Sequence, residues 1–234
     1  AALLFGVMTQ LFLSNQVATG LALTLFGLGL SALLGQGYTG IRPEQTPRLD
    51  IPGLSDLPVI GPLVFSYDWV VYFALVMVAI VWWFLNRTRG GLVLRAVGES
   101  HDAAHALGYP VVLIRLGAIA FGGAMAGIGG AYLSLVRVPQ WSEGMTAGIG
   151  WIALAIVVFA SWKPFRVILG AWLFGGVTIL QLNFQALGID IPSAYLTMTP
   201  YLMTIIVLVI MSSDRRRAAL NAPASLGRTF HASG

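Results

Sequence analysis

The chain has 234 residues, of which 57% are hydrophobic and only 9% are charged, and its mean hydropathy is +0.83. Soluble domains carry about a quarter charged residues, so this composition excludes a water-soluble globular protein and indicates one solvated by lipid. The net charge of +4 comes from arginines spread along the chain without interleaved aromatic residues, which argues against a nucleic acid partner, and the absence of cysteine excludes disulfides and thiolate metal sites.

Long apolar runs predict an all-α, polytopic transmembrane helical bundle with about seven visible spans. The chain begins in an apolar run without methionine or a basic leader, so we expect one or more spans to precede residue 1. The run 149–160 is either a further span or a partly re-entrant helix. We treat residues 1–234 as a single transmembrane domain. The predicted spans are 1–13, 17–34, 69–85, 111–135, 149–160, 167–182 and 195–211.

Basic residues mark alternate connections between these spans. They concentrate in the segment 86–110, in the turn 162–166 and in the tail 212–234, whereas the other loops carry few. Cytoplasmic loops carry an excess of lysine and arginine. The pattern therefore predicts that these three segments are cytoplasmic in a multi-pass membrane protein.

The segment 86–110 is too polar to enter lipid, yet it carries helix signals. Acidic and hydroxyl residues can cap a helix start and suit its dipole; here they are Glu99, Ser100 and Asp102. Gly108 can take the left-handed position after the helix, and Pro110 ends it. We predict a short helix from Glu99 to Gly108 that docks into a partner protein. A solvated connector helix at the headgroups is the alternative on spacing alone.

This segment resembles the coupling-helix region of ATP-binding-cassette importer permeases. The matching residues are Gly98, Glu99, Ala103, Ala104 and Gly108. Similar stretches run from Asn15 to Gly27, from Gly144 to Ile156 and from Leu173 to Gln181, so the resemblance covers nearly the whole chain. It is strongest to the branch that imports simple sugars, branched-chain amino acids and nucleosides, especially the nucleoside-type permease that works with a basic-membrane-protein lipoprotein. One departure is Ile149, where relatives often carry arginine.

The resemblance implies a transport subunit rather than an enzyme, without cofactor or metal, in the bacterial inner membrane. It further implies three protein partners: an ATPase subunit that grips the coupling helix, a second permease subunit, and an extracytoplasmic substrate-binding protein. The chain itself has no phosphate-binding G-x-x-x-x-G-K-[ST] motif, which agrees with hydrolysis in another subunit. The expected function is import of a small polar solute by alternating access, with a nucleoside as the expected solute and a simple sugar or branched-chain amino acid as alternatives.

Uncharged polar and aromatic residues in the spans are candidates for the substrate path. They are Asn15, Gln16, Thr19, Trp151, Gln181 and Asn183. Each could equally join helices by hydrogen bonds or pack in the core. No carboxylate in the spans offers a proton relay, which disfavours a proton-coupled transporter.

Two other functions compete with import. His101 and His105 have the i, i+4 spacing of a zinc-binding helix, so a membrane-embedded metallohydrolase is one alternative. Catalytic zinc usually takes three protein ligands, and the remaining histidine, His231, lies in the tail. An ion-independent channel or facilitator is the second alternative, which substrate-stimulated ATP hydrolysis by the complex would exclude.

Overall fold

The computed structural model describes residues 1–41, 67–187 and 222–231, together with isolated residues between 195 and 209. The side chains of residues 181, 182 and 185 lie outside this description, as do most of the last predicted span and the predicted outer loop beyond residue 41. The described residues fall into two compact units. Unit 1 contains residues 1–76, 87–146 and 224–234, and unit 2 contains residues 77–86 and 147–223.

The described part of the chain is helical and contains no strand, which confirms the predicted all-α class. Its helices are α1 (Ala2–Gln10), α2 (Gln16–Gly35), α3 (Trp69–Arg87), α4 (Arg89–Glu99), α5 (His101–Ala106), α6 (Val111–Tyr132), α7 (Ile149–Phe159) and α8 (Pro164–Ala186). A 3-10 turn, Gln36–Tyr38, extends α2, and a π-helical turn, Leu133–Arg137, extends α6.

Three of these helices are long and apolar enough to cross a membrane: Gln16–Tyr38, Trp69–Arg87 and Val111–Arg137. Almost none of the residues in their most apolar stretches is buried in the isolated chain, and α2 alone leaves Val17, Leu25 and Leu33 at least 70% exposed. An apolar surface of this size must be covered by lipid or by neighbouring helices. The predicted polytopic architecture is therefore confirmed, while the total of about seven spans stays a prediction.

In unit 1, α1 packs along α6. Gly6 lies so close to α6 that a β-carbon there would come within 2.7 Å of a Leu116 methyl carbon. The turn between α1 and α2 is held by Asn15, whose side-chain oxygen accepts hydrogen bonds from the amides of Val17 and Ala18 at 3.0 Å. This is the usual arrangement of an asparagine at a helix N-terminus.

In unit 2, α7 packs against α8. The helix α7 has 11 residues, which gives a length of about 16 Å and spans only about half of the hydrocarbon layer. Both predictions for residues 149–160, a further span together with its flanks or a partly re-entrant helix, stay predictions. Gly170 allows the close approach of α8, because a β-carbon there would meet Ile156 at 2.9 Å and Phe159 at 3.0 Å.

This close approach generates a prediction about stability. Gly170→Leu should destabilise unit 2 by about 1–3 kcal/mol, because the added side chain overpacks the α7–α8 contact. Gly175→Leu, on the same helix, is the matched control, since a β-carbon there meets nothing within 4 Å. Thermal unfolding of the two purified variants in detergent measures the difference. Equal melting temperatures would contradict the α7–α8 packing described above.

Candidate functional site

The polar segment between α3 and α6 folds as two helices rather than one. Thr88 begins α4, with its hydroxyl accepting a hydrogen bond from the Gly91 amide at 3.0 Å. Ser100, in an extended conformation, ends α4 and begins α5, with its hydroxyl accepting from the Ala103 amide at 3.3 Å. The predicted cap at Ser100 is thus observed, but Glu99 is the last residue of α4 and does not belong to the first turn of α5. The sequence analysis did not anticipate α4.

The end of α5 is fixed by Gly108, which has a φ of +85°. Its amide donates to the His105 carbonyl at 2.8 Å, and the Tyr109 amide donates to the Ala104 carbonyl at 3.1 Å. This pair of bonds is the Schellman arrangement, which satisfies the carbonyls at a helix end. The predicted left-handed role of Gly108 is therefore what the structure shows.

A small apolar core joins α4 and α5 to the start of α6. Val97, Ala104 and Val111, one from each helix, are at most 2% exposed, and Val112 and Ile114 pack beside them. Phe230, from the polar tail, completes the cluster and is 6% exposed. Because these side chains form one core, α4, α5 and the beginning of α6 are held together.

The tail residues 224–231, here called the strap, lie against this core. The Ser225 amide donates a hydrogen bond to the Gly98 carbonyl at 3.0 Å, and the Ser225 hydroxyl donates to the carbonyls of Val97 and Gly98. At the other end of the strap, the Phe230 ring meets the imidazoles of His101 and His105 edge-on, with centroids 5.4 and 5.2 Å away. The sequence analysis missed this contact, although Phe230 is an isolated aromatic residue in a polar tail.

Arg115 connects four parts of unit 1. From α6, its guanidinium donates to the Gln10 side chain at 3.3 Å, to the Arg228 carbonyl at 3.0 Å and to the His101 ring at 3.2 Å. Arginine has no acceptor, so in this arrangement His101 Nδ1 accepts and its ring proton lies on Nε2. The Nε2 atom faces the Asp102 carboxylate at 3.6 Å. Arg115 thereby ties α1, α5 and the strap to α6.

The opposite side of α5 is open. Ala103, Ala106, Leu107 and Gly108 are exposed, and Leu107 is 76% exposed. Residues three and four apart share one helix face, so Ala103, Ala106 and Leu107 lie on one side, here called the α5 outer face, with the exposed carboxylate of Asp102 beside them.

The structure divides the residues predicted to couple to an ATPase. Glu99, Ala103 and Gly108 are exposed, Gly98 is half-buried with its carbonyl bonded to the strap, and Ala104 is buried in the core.

The substrate-path candidates are scattered. Asn15 caps α2, Gln16 is the first residue of that helix, and Thr19 is nearly buried beside Ser14, 2.9 Å between hydroxyl oxygens. Trp151 and Asn183 lie on exposed surface of unit 2, and the Gln181 side chain falls outside the described residues. Within unit 1, the structure brings Asn15, Gln16 and Thr19 to one helix start.

Comparison with known proteins identifies the family of the chain. Residues 1–211 match the family described as branched-chain amino acid transport system / permease component. The chain belongs to this family. The resemblance found in the sequence is thus confirmed, and the family is one of transport components rather than enzymes, as expected.

Curated relatives of this permease chain carry transporter names. It is 41% identical over 207 residues to a Haloferax volcanii protein provisionally named the glucose ABC transporter permease protein TsgC13, a match that covers 86% of the chain and 63% of the relative. It is 36% identical to the nucleoside ABC transporter permease protein NupC of Lactococcus lactis, covering 88% and 68%. It is 32% identical to the guanosine ABC transporter permease protein NupQ of Bacillus subtilis, covering 84% and 64%. No solved structure matches the permease chain.

The metallohydrolase alternative finds no support in this permease chain. His101 and His105 both pack against Phe230. Among the described residues, no group of three histidine, cysteine or acidic side chains is close enough to hold a metal ion. The contact of both imidazoles with a buried phenylalanine is typical of side-chain packing rather than of a metal site. The relatives named above are permeases.

The left-handed end of α5 generates a prediction about local stability. Gly108→Ala should destabilise the folded end of α5 by about 1–2 kcal/mol, because residues with a β-carbon are strained at positive φ. Asparagine tolerates this conformation better, so Gly108→Asn is the matched control. Limited proteolysis at the exposed Leu107 should be faster in the alanine variant than in the asparagine variant and the wild type. Equal cleavage rates in all three proteins would show that this turn does not hold α5 in place.

Proposed function

We propose that the chain is the membrane-spanning permease subunit of an ATP-binding-cassette importer, and that α5 is the helix that its ATPase subunit grips. The observation that carries the proposal is the α5 outer face, an exposed patch of small and apolar residues within a polar connection. Helices dock into grooves of partner proteins through faces of this kind. The proposal also rests on the family and on the names of the relatives.

The arrangement of arginines supports a cytoplasmic position for α5. Arg87, Arg89 and Arg95 are exposed on the segment that leads to it, and cytoplasmic connections are rich in such residues. The chain would then lie in the cytoplasmic membrane as a multi-pass protein, with lipid around its apolar helices. A second permease subunit and an extracytoplasmic binding protein complete the proposed importer.

The mechanism would be alternating access driven from outside this chain. Closure of the ATPase subunits moves α5, and the shared core of Val97, Ala104 and Val111 passes that movement to the start of α6. Because α1 packs along α6, displacement of α6 changes the bundle around the substrate path. No covalent chemistry takes place in the permease.

A nucleoside is the proposed solute. Two of the relatives above are named for nucleoside or guanosine transport, and the polar residues at the start of α2 are uncharged, as a neutral solute requires. A simple sugar is the second candidate, because the relative with 41% identity is named for glucose. Both solutes present hydroxyl groups on a sugar ring, which amide and hydroxyl side chains can bind.

The grip on α5 is tested by changing its outer face. Leu107→Asp should abolish co-purification with the ATPase subunit and substrate-stimulated ATP hydrolysis, because loss of a central apolar contact costs about 2 kcal/mol or more at an interface. Leu226→Asp is the control, since Leu226 is similarly exposed at 63% but lies in the strap. An intact, fully active complex with the Leu107 variant would rule out docking through this face.

The solute is tested by competition in membrane vesicles that contain the whole importer. Uptake of labelled guanosine should be suppressed by excess unlabelled nucleosides but persist with excess glucose or leucine, because the binding groups must match a base as well as a sugar. Uptake of labelled glucose without uptake of labelled guanosine would assign the sugar as substrate. Suppression by leucine would contradict both candidates.

A further inference from the structure

We propose that the strap is a positioning element for coupling: it holds α5 on the start of α6, so that movement of α5 is transmitted to the membrane-spanning helix. Phe230 and Ser225 are its positioning residues. This inference rests on the proposed function and adds a role for a part of the chain that the sequence marked only as a polar tail.

The first observation is the burial of Phe230. A phenylalanine in a polar tail would remain in water unless it had a specific site, and here it is 6% exposed beside Ala104 and Val111. Its ring also meets both imidazoles of α5 edge-on. The strap therefore touches α5 along the side opposite to its outer face.

The second observation is the polar anchoring at each end of the strap. Ser225 bonds the carbonyls of Val97 and Gly98, the last turn of α4, through both its amide and its hydroxyl. The Arg228 carbonyl accepts from Arg115, which also binds His101. The first anchor joins the strap to α4 and the second joins it to α6, and the Phe230 ring adds the contact with α5.

The third observation is the length of α5. A helix of 6 residues is too short to be stable by itself, since isolated helices below about 12 residues are marginal in water. Its inner contacts come from Ala104 and the two histidines, and Phe230 supplies the largest side chain against them. Without Phe230, α5 would be attached to α6 only through Ala104 in the core and through the bond from Arg115 to His101, so less of its movement would reach α6.

The experiment compares Phe230→Ala with Phe230→Leu, which keeps apolar volume, and with Leu226→Ala as the exposed control in the same strap. Hydrogen exchange of residues 224–231 reports docking of the strap. Proteoliposomes that contain permease, ATPase subunit and binding protein report the solute transported per ATP hydrolysed.

In Phe230→Ala, exchange of the strap should accelerate by at least about tenfold, because burial of the ring closes the local structure. The ATPase subunit should still bind, since the α5 outer face is unchanged, but the solute transported per ATP should fall several-fold. Phe230→Leu should restore most of this ratio, and Leu226→Ala should behave as wild type.

Two results would overturn the proposal. Fast exchange of the strap in the wild-type protein would show that it is not docked, and an unchanged transport ratio in Phe230→Ala would show that docking does not position α5. If the wild-type permease did not bind the ATPase subunit or did not take up solute with ATP, the proposed function would be wrong instead. The hydrogen-exchange measurement would still decide whether the strap is docked.

Discussion

The exclusion of a polar connection from lipid is the constraint on which this structure depends. Residues 88–110 join two apolar helices but carry too many charges to enter the hydrocarbon layer, where unsatisfied polar groups are costly. They fold instead into α4 and α5, each begun by a hydroxyl side chain, and place one small apolar residue from each helix against Val111. The remaining surface of α5 is left open, and that surface is the feature that suits a partner protein.

The packing of α5 gives its two sides different roles. Ala104 is buried against α6 and the strap, and the rings of His101 and His105 meet Phe230 of the strap, while Ala103 and Leu107 are exposed. A helix that is to transmit force between two proteins needs both a surface for the partner and a firm attachment to its own chain. Arg115 reinforces the attachment, because its guanidinium reaches α1, α5 and the strap at once.

Local signals in the sequence were sufficient to predict the all-α membrane fold, the cap at Ser100 and the turn at Gly108. The length of an apolar run, a helix cap and a glycine turn are each determined by residues that are close together in the sequence. The helix α4 was missed because its residues read as a polar connection, and Ala104 was grouped with Ala103 because only the tertiary core separates them. The contacts of Ser225 with Val97 and of Phe230 with His101 join residues more than 120 positions apart, and no local pattern specifies such pairing.

The most direct measurement is site-specific photocross-linking in membranes that contain the assembled importer. A photoreactive amino acid is placed in turn at Ala103, on the α5 outer face, and at the adjacent Ala104, in the core. The structure predicts that the probe at position 103 attaches to the ATPase subunit and that the probe at position 104 attaches to the permease's own α6 or strap. Attachment of the ATPase subunit from position 104 but not from 103, or from neither position, would contradict the assignment of α5 as the gripped helix.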